Sequence, residues 1–106
     1  MNQFLYRVQP TRVEMLTEGP TENEARCVQE HFEYLQGLVE TGQVLIAGRT
    51  LTADEESFGI VVFEAESTTA AEAIVANDPA VKSRVMRAHL FPYRVALWSA
   101  SGPSVG

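Results

Sequence analysis

Apolar positions along this chain change their period, and the changes mark out its elements. Phe4, Leu5, Tyr6 and Val8 make a short run rich in β-forming residues, stopped by Pro10, which predicts a first strand over 4–8. Residues 9–20 hold Pro10, Gly19 and Pro20 and read as a loop. Thr21 and Glu24 then fit a capping box, in which hydroxyl and carboxylate each satisfy an orphan backbone amide. After it, Ala25, Val28, Phe32, Leu35 and Val39 recur at spacings of three and four, the seam of an amphipathic helix. Gly42 suits the left-handed residue that closes such a helix.

Three further apolar runs follow. Residues 43–47 and 58–64 read as strands, joined by Gly48, Arg49 and the polar stretch 52–57. Ser67 to Thr69 offer caps for a second helix reaching about Asn77, and Asp78-Pro79 opens another helical turn, since proline suits the first helical position. Residues 87–98 read as the last strand, with Pro92 confining it to an edge or a bulge. Ser99 to Gly106 is a small polar tail, expected to be disordered, so the domain is expected over 1–98. The order β-α-β-β-α-β predicts an α+β, ferredoxin-like fold with two helices on one face of an antiparallel sheet.

That arrangement leaves the other sheet face bare, yet the strands are not polar there. Ile60 and Val62 point one way and Val61 and Phe63 the other; Phe91, Val95 and Leu97 oppose Leu90, Ala96 and Trp98. The second face wants a cover, and a homodimer packed sheet on sheet is the expectation. A domain of 106 residues buries a modest core, which also favours oligomerisation.

Charge narrows the partners. The net charge of −6 argues against nucleic acid and against an anionic membrane surface. The start of the chain lacks a basic region followed by a long apolar run, so no signal peptide is read, no segment is apolar enough to span a bilayer, and a cytoplasmic location is expected. The one cysteine, Cys27, forms no intramolecular disulfide. The seven glycines are scattered without a phosphate-binding loop, no nucleophile elbow occurs, and two histidines without a carboxylate or cysteine cluster make a poor metal site. No metal and no cofactor is expected.

The candidate chemistry is therefore small. His31 is the side chain of the first helix that titrates near neutral pH, and Asp78 is a carboxylate suited to fix its tautomer, the smallest acid/base pair that works at pH 7. Each also has a plainer reading. His31 lies in a row with Cys27, Tyr34 and Leu38 beside the main stripe, a rim position where a merely hydrogen-bonded histidine is common. Asp78 before Pro79 is a good helix cap. Arg49 can clamp a carboxylate or phosphate, or equally pair with one of the 14 acidic residues. Arg7, Ser57 and Tyr93 are candidate substrate-binding groups, each more often structural; His89 stands alone and is assigned no role.

The order Pro20-Thr21-Glu22, His31-x-x-Tyr34-Leu35-x-x-Leu38-x-x-x-Gly42, Ala47-Gly48-Arg49, Phe58-Gly59-Ile60, Asp78-Pro79 and Phe91-Pro92-Tyr93-Arg94-Val95 resembles the YCII-related (YciI-like) family over about residues 1–98. The resemblance implies a ferredoxin-like fold, usually dimeric, of the dimeric α/β-barrel type. It also implies a proposed catalytic histidine–aspartate pair, which falls on His31 and Asp78. A related member is a dehydrochlorinase acting on a chlorinated hydroxyquinol, the fold is similar to muconolactone isomerases, and some copies accompany sigma-factor-like regulators. The stretch Arg12 to Gly19 is longer than in compact members.

Together these point to a small-molecule enzyme of lyase or isomerase type in which Asp78 orients His31 and Arg49 holds an anionic group. The alternative is a non-catalytic metabolite-binding or regulatory dimer module. A cofactor-free monooxygenase is a third reading, resting on fold analogy alone.

Overall fold

The computed structural model describes residues 1–104; the last two positions of the expected tail lie outside the described residues. The chain forms β1 (Asn2–Pro10), α1 (Glu14–Thr17), α2 (Glu22–Glu40), β2 (Val44–Arg49), β3 (Gly59–Ala65), α3 (Thr68–Ala76), α4 (Pro79–Lys82) and β4 (Met86–Tyr93). The strands make one antiparallel sheet in the order β2-β3-β1-β4, the ferredoxin-like arrangement.

β1 shows why the sheet has an inside. Phe4, Tyr6 and Val8 alternate with Leu5 and Arg7, and the first three are buried. In register opposite them stand Phe63, Val61 and Gly59 of β3. Phe63 is fully buried and meets Phe4 at 5.8 Å and Tyr6 edge-on at 5.7 Å between ring centroids. Such aromatic pairs contribute about 0.5–1.5 kcal/mol beyond the area they bury. Leu35 of α2 and Ala71 of α3 complete this core from above. Gly59 suits a close approach of β1 and β2, because a Cβ there would stand 3.1 Å from Val8 Cγ2 and 3.2 Å from the Gly48 carbonyl oxygen, both tight contacts.

The helix ends follow the expected chemistry. Glu24 N–H donates to Thr21 Oγ1 at 3.1 Å and Thr21 N–H to Glu24 Oε1 at 2.8 Å, a complete capping box. Gly42 takes a φ of 81° and ends α2. Ser67 caps α3 by accepting from Ala70 N–H at 3.1 Å.

The face that α2 turns inward differs from the expected seam. Phe32 is 60% exposed, Val39 is 48% exposed and Ala25 lies outside, whereas Cys27 and Leu35 are buried with His31, Tyr34 and Leu38 partly so. The row read as a rim is the inner face. Hydrogen bonding decides this: turning Phe32 inward would swing the His31 ring and the Tyr34 hydroxyl away from partners beneath the helix.

Other boundaries move for local reasons. The expected loop over 9–20 contains the end of β1 and the short α1, whose Met15 packs on Cys27 and Val85 in a second small core. Arg12 holds this segment with a two-pronged grip on Glu24, Nε to Oε2 at 2.9 Å and Nη2 to Oε1 at 2.6 Å. Gly48 and Arg49 belong to β2, not to the connection, and a register shift between Val44 and Ile46 sets their facing. β4 stops at Tyr93 rather than 98 because its partner β1 has only Gln3 and Asn2 left there; Val95 N–H instead donates to the Gln3 side chain at 2.6 Å. Pro92 sits on this edge strand, as expected. Residues 99–102 form a turn, with Gly102 N–H donating to the Ser99 carbonyl at 3.0 Å.

The helices cover one face of the sheet. On the other, Val62 is buried by its neighbours, Leu5, Ile60 and Phe91 are half-buried, and Ile46 and Tyr93 are exposed. Among the described residues no helix is long and apolar enough to cross a membrane.

The Arg12 grip yields an acid signature. Hydrogen bonding to Arg12, then to the Thr21 amide, lowers the Glu24 carboxyl from its ordinary 4.5 to about 2. A carboxyl lowered on folding contributes stability that is present above its unfolded value and lost as pH falls through the folded one. Melting temperatures should therefore fall more steeply between pH 4.5 and 2 in the native protein than in Glu24→Gln; parallel acid limbs would contradict the account.

Candidate active site at the foot of the first long helix

Asp78 owes its place to the junction of two helices. α3 ends at Ala76 with Asn77 as its cap, and Pro79 begins α4, so Asp78 between them is held extended, at φ −63° and ψ 121°. Its Oδ1 accepts from the Ala80 N–H at 3.0 Å, which makes it the cap of α4. The capping expectation is therefore met, but capping engages only part of the carboxylate. Asp78 is wholly buried, and a buried carboxylate must satisfy its remaining lone pairs within the protein.

Two side chains supply what is missing. The Tyr6 hydroxyl, rising from the centre of β1, donates to Oδ2 at 2.8 Å. His31, from the middle of α2 and 47 positions away in sequence, brings Nδ1 to 2.7 Å from Oδ2 and 2.8 Å from Oδ1. The group thus collects donors from a strand, a helix and a helix terminus. Tyr6 and the Ala80 amide both donate to the carboxyl group, and an ionised Asp78 accepts from His31 as well, with the proton on Nδ1. That leaves Nε2 as the free nitrogen of the neutral ring. The His31 side chain keeps 13% of its surface exposed, against none for Asp78.

Two phenols complete the surroundings. Burial, followed by the Asp78 charge and the hydrogen bond to it, pushes the Tyr6 hydroxyl well above its ordinary range. Tyr34 is raised by burial and by the same charge, and its hydroxyl donates to the Ile74 carbonyl at 2.7 Å. Both stay protonated donors across physiological pH.

The other candidate residues lie apart from this pair. Ser57 is buried, and its hydroxyl is committed to its own loop, donating to the Thr52 carbonyl and accepting from the Asp54 amide at 3.3 Å. Arg7 and Tyr93 stand on the uncovered face of the sheet. Arg7 pairs with His89, and its guanidinium lies 6.0 Å from the centre of the Phe91 ring, on which His89 stacks at 4.5 Å. Arg49 is exposed and, among the described residues, makes no ion pair, contrary to the simpler expectation for it. It stands opposite Gly59, where a Cβ would contact Arg49 Cβ at 3.7 Å and the Val8 side chain, so it leaves β2 on the helix-covered side. It also borders an open groove of about 270 Å³ with Ile46, Gly48, Thr50, Phe58 and Ile60. That groove does not include His31 or Asp78, which meet beneath α2 with the carboxyl group buried and hydrogen-bonded. Among the described residues no group of three histidine, cysteine, aspartate or glutamate side chains gathers to hold a metal.

The sequence reading overlooked Tyr6. The signal was present: a hydroxyl in the alternation of buried Phe4 and Val8 has to find a buried partner.

The family model of the YCII-related domain matches residues 6–98. The chain belongs to the YCII-related family. Its fold recurs in solved structures. One is the 5-chloro-2-hydroxyhydroquinone dehydrochlorinase TftG of Burkholderia phenoliruptrix AC1100, in complex with 2,5-dihydroxybenzoquinone. It has a TM-score of 0.64 and 20% identity over 87% of this chain and 93% of that one. Another is the uncharacterized protein TM1266 of Thermotoga maritima, with a TM-score of 0.53 and 15% identity over 87% and 95%. At these identities the likeness is one of fold. No curated protein matched the sequence.

Proposed function

We propose that this YCII-related domain is a small-molecule enzyme of lyase or isomerase type, with His31 as the general base and Asp78 as the group that orients it. The observation that carries this reading is the 2.7 Å contact between His31 Nδ1 and a wholly buried carboxylate. Held by that bond, the ring offers Nε2 to a substrate proton, from a carbon beside a carbonyl or from a ring hydroxyl. As the ring becomes charged, the carboxylate stabilises it without taking the proton itself, because its oxygens are already engaged. Arg49, with no ion-pair partner of its own among the described residues, is the candidate to hold an anionic group on the substrate. The name of the structurally similar dehydrochlorinase suggests hydroxylated quinols and quinones as the first class to try.

The working form on this reading is a homodimer joined through the uncovered sheet face. Leu5, Ile46, Ile60, Val62 and Phe91 give that face an apolar centre, and Arg7 and Tyr93 then read as contacts between subunits rather than as substrate ligands.

Light scattering should give twice the 11.7 kDa chain mass, and Ile46→Lys, at an exposed position of that face, should give a folded monomer. A native protein that stays monomeric at high salt contradicts the dimer. For the chemistry, chlorinated hydroxyquinols would be screened for chloride release and for ring absorbance changes. On a substrate so found, His31→Ala should lower turnover by about 10²–10⁴ while the circular dichroism spectrum holds and the protein still melts cooperatively, its midpoint lowered by the donor lost to Asp78. Full activity in that variant would end the proposal, and a compound that stabilises the protein but is recovered unchanged would favour the binding-module reading.

A further inference from the structure

We infer that Tyr6 is a positioning residue that sets the basicity of His31 through the oxygen they share on Asp78. This rests on His31 and Asp78 acting as the proposed pair.

The Tyr6 hydroxyl stands 2.8 Å from Asp78 Oδ2, and His31 Nδ1 stands 2.7 Å from that same oxygen. Two donors on one oxygen compete for its charge: the more strongly the phenol donates, the less negative charge the imidazolium feels. Nothing relieves that competition by movement. Tyr6 is fully buried on a strand flanked on both sides by others, and its ring is locked edge-on against Phe63 at 81°. The carboxylate cannot turn away either, because Oδ1 is fixed by the Ala80 amide as a helix cap. The phenol thus works as a brake. Without it the carboxylate would hold the charged ring more tightly and keep Nε2 protonated to higher pH, and a protonated Nε2 removes no proton from a substrate.

The groups around the carboxylate from each packed element are few. β1 gives Tyr6, and α2 gives His31 and Tyr34, whose hydroxyl is spent on the Ile74 carbonyl. Lys82 at the far end of α4 is exposed, and His89 and Arg87 of β4 are exposed too. The phenol remains protonated because burial and the adjacent charge oppose its ionisation.

Titration of the His31 ring by NMR tests this without a known substrate, with His89, which lies on the opposite face of the sheet from Asp78, as an internal comparison. Three forms would be compared with the native protein: Tyr6→Phe, 3-fluorotyrosine placed at position 6, and Asp78→Asn. Removing the donor in Tyr6→Phe should raise the His31 midpoint by about half a unit to one unit. The fluorinated phenol is a stronger donor and should lower it, and Asp78→Asn should lower it further. A purely structural tyrosine would change the melting temperature of Tyr6→Phe and leave the midpoint in place. If Asp78→Asn moves the midpoint but both changes at position 6 leave it still, or move it the same way, Tyr6 has no such role and the pair survives. If Asp78→Asn leaves His31 unmoved, the pair fails and the role of Tyr6 fails with it.

Discussion

A carboxylate taken wholly out of water must be surrounded by donors, and Asp78 obliges three separate elements to provide them. The α3–α4 junction supplies an amide, β1 must present Tyr6 inward, and α2 must turn so that His31 reaches down. The last of these has a visible cost. Phe32 and Val39, which an apolar stripe would have buried, stay largely in solvent so that His31 and Tyr34 can face the sheet. Removing any one donor would leave a buried lone pair unsatisfied, commonly a loss of about 1–3 kcal/mol. The polar centre therefore fixes the rotation of the long helix more firmly than hydrophobic patterning does.

The same residue serves structure and proposed chemistry at once. Asp78 starts α4 with one oxygen and meets Tyr6 with the other, and His31 spans both. Because pre-proline geometry and the cap hold the carboxylate, the imidazole that leans on it is oriented by the fold itself. The sheet divides the remaining candidates by side. Arg49 shares the helix-covered side with the pair, and the register shift in β2 is what sends it there. Arg7, His89 and Tyr93 share the opposite, apolar face, which the helices leave uncovered.

Much of this was legible in the residues. Capping signals at Thr21–Glu24, Ser67 and Asp78-Pro79 are local chemistry, so the starts of α2, α3 and α4 could be read from the sequence. The antiparallel sheet with its helices follows from the alternation of elements, and the dispersed motifs resemble a family whose model matches residues 6–98. Long-range facts were harder. The inner face of α2 was misjudged because its two stripes, through Phe32 and through His31, lie side by side, and only distant partners choose between them. α1 was missed because four residues give too little periodicity, and its stability comes from Arg12 gripping Glu24 and Met15 meeting Val85. The end of β4 depended on where β1 runs out, which nothing within residues 94–98 encodes. Tyr6 was passed over as a strand residue because its importance lies in a carboxylate 72 positions away.

A buried carboxylate that orients His31 also fixes which nitrogen of the ring is bare. Long-range proton–nitrogen NMR of the native protein, at a pH above the titration of the ring, reads this directly. The expected result is a single tautomer for His31, protonated at Nδ1 with Nε2 free. A proton on Nε2, or a rapidly exchanging mixture of tautomers like that of an unrestrained exposed histidine, would contradict it.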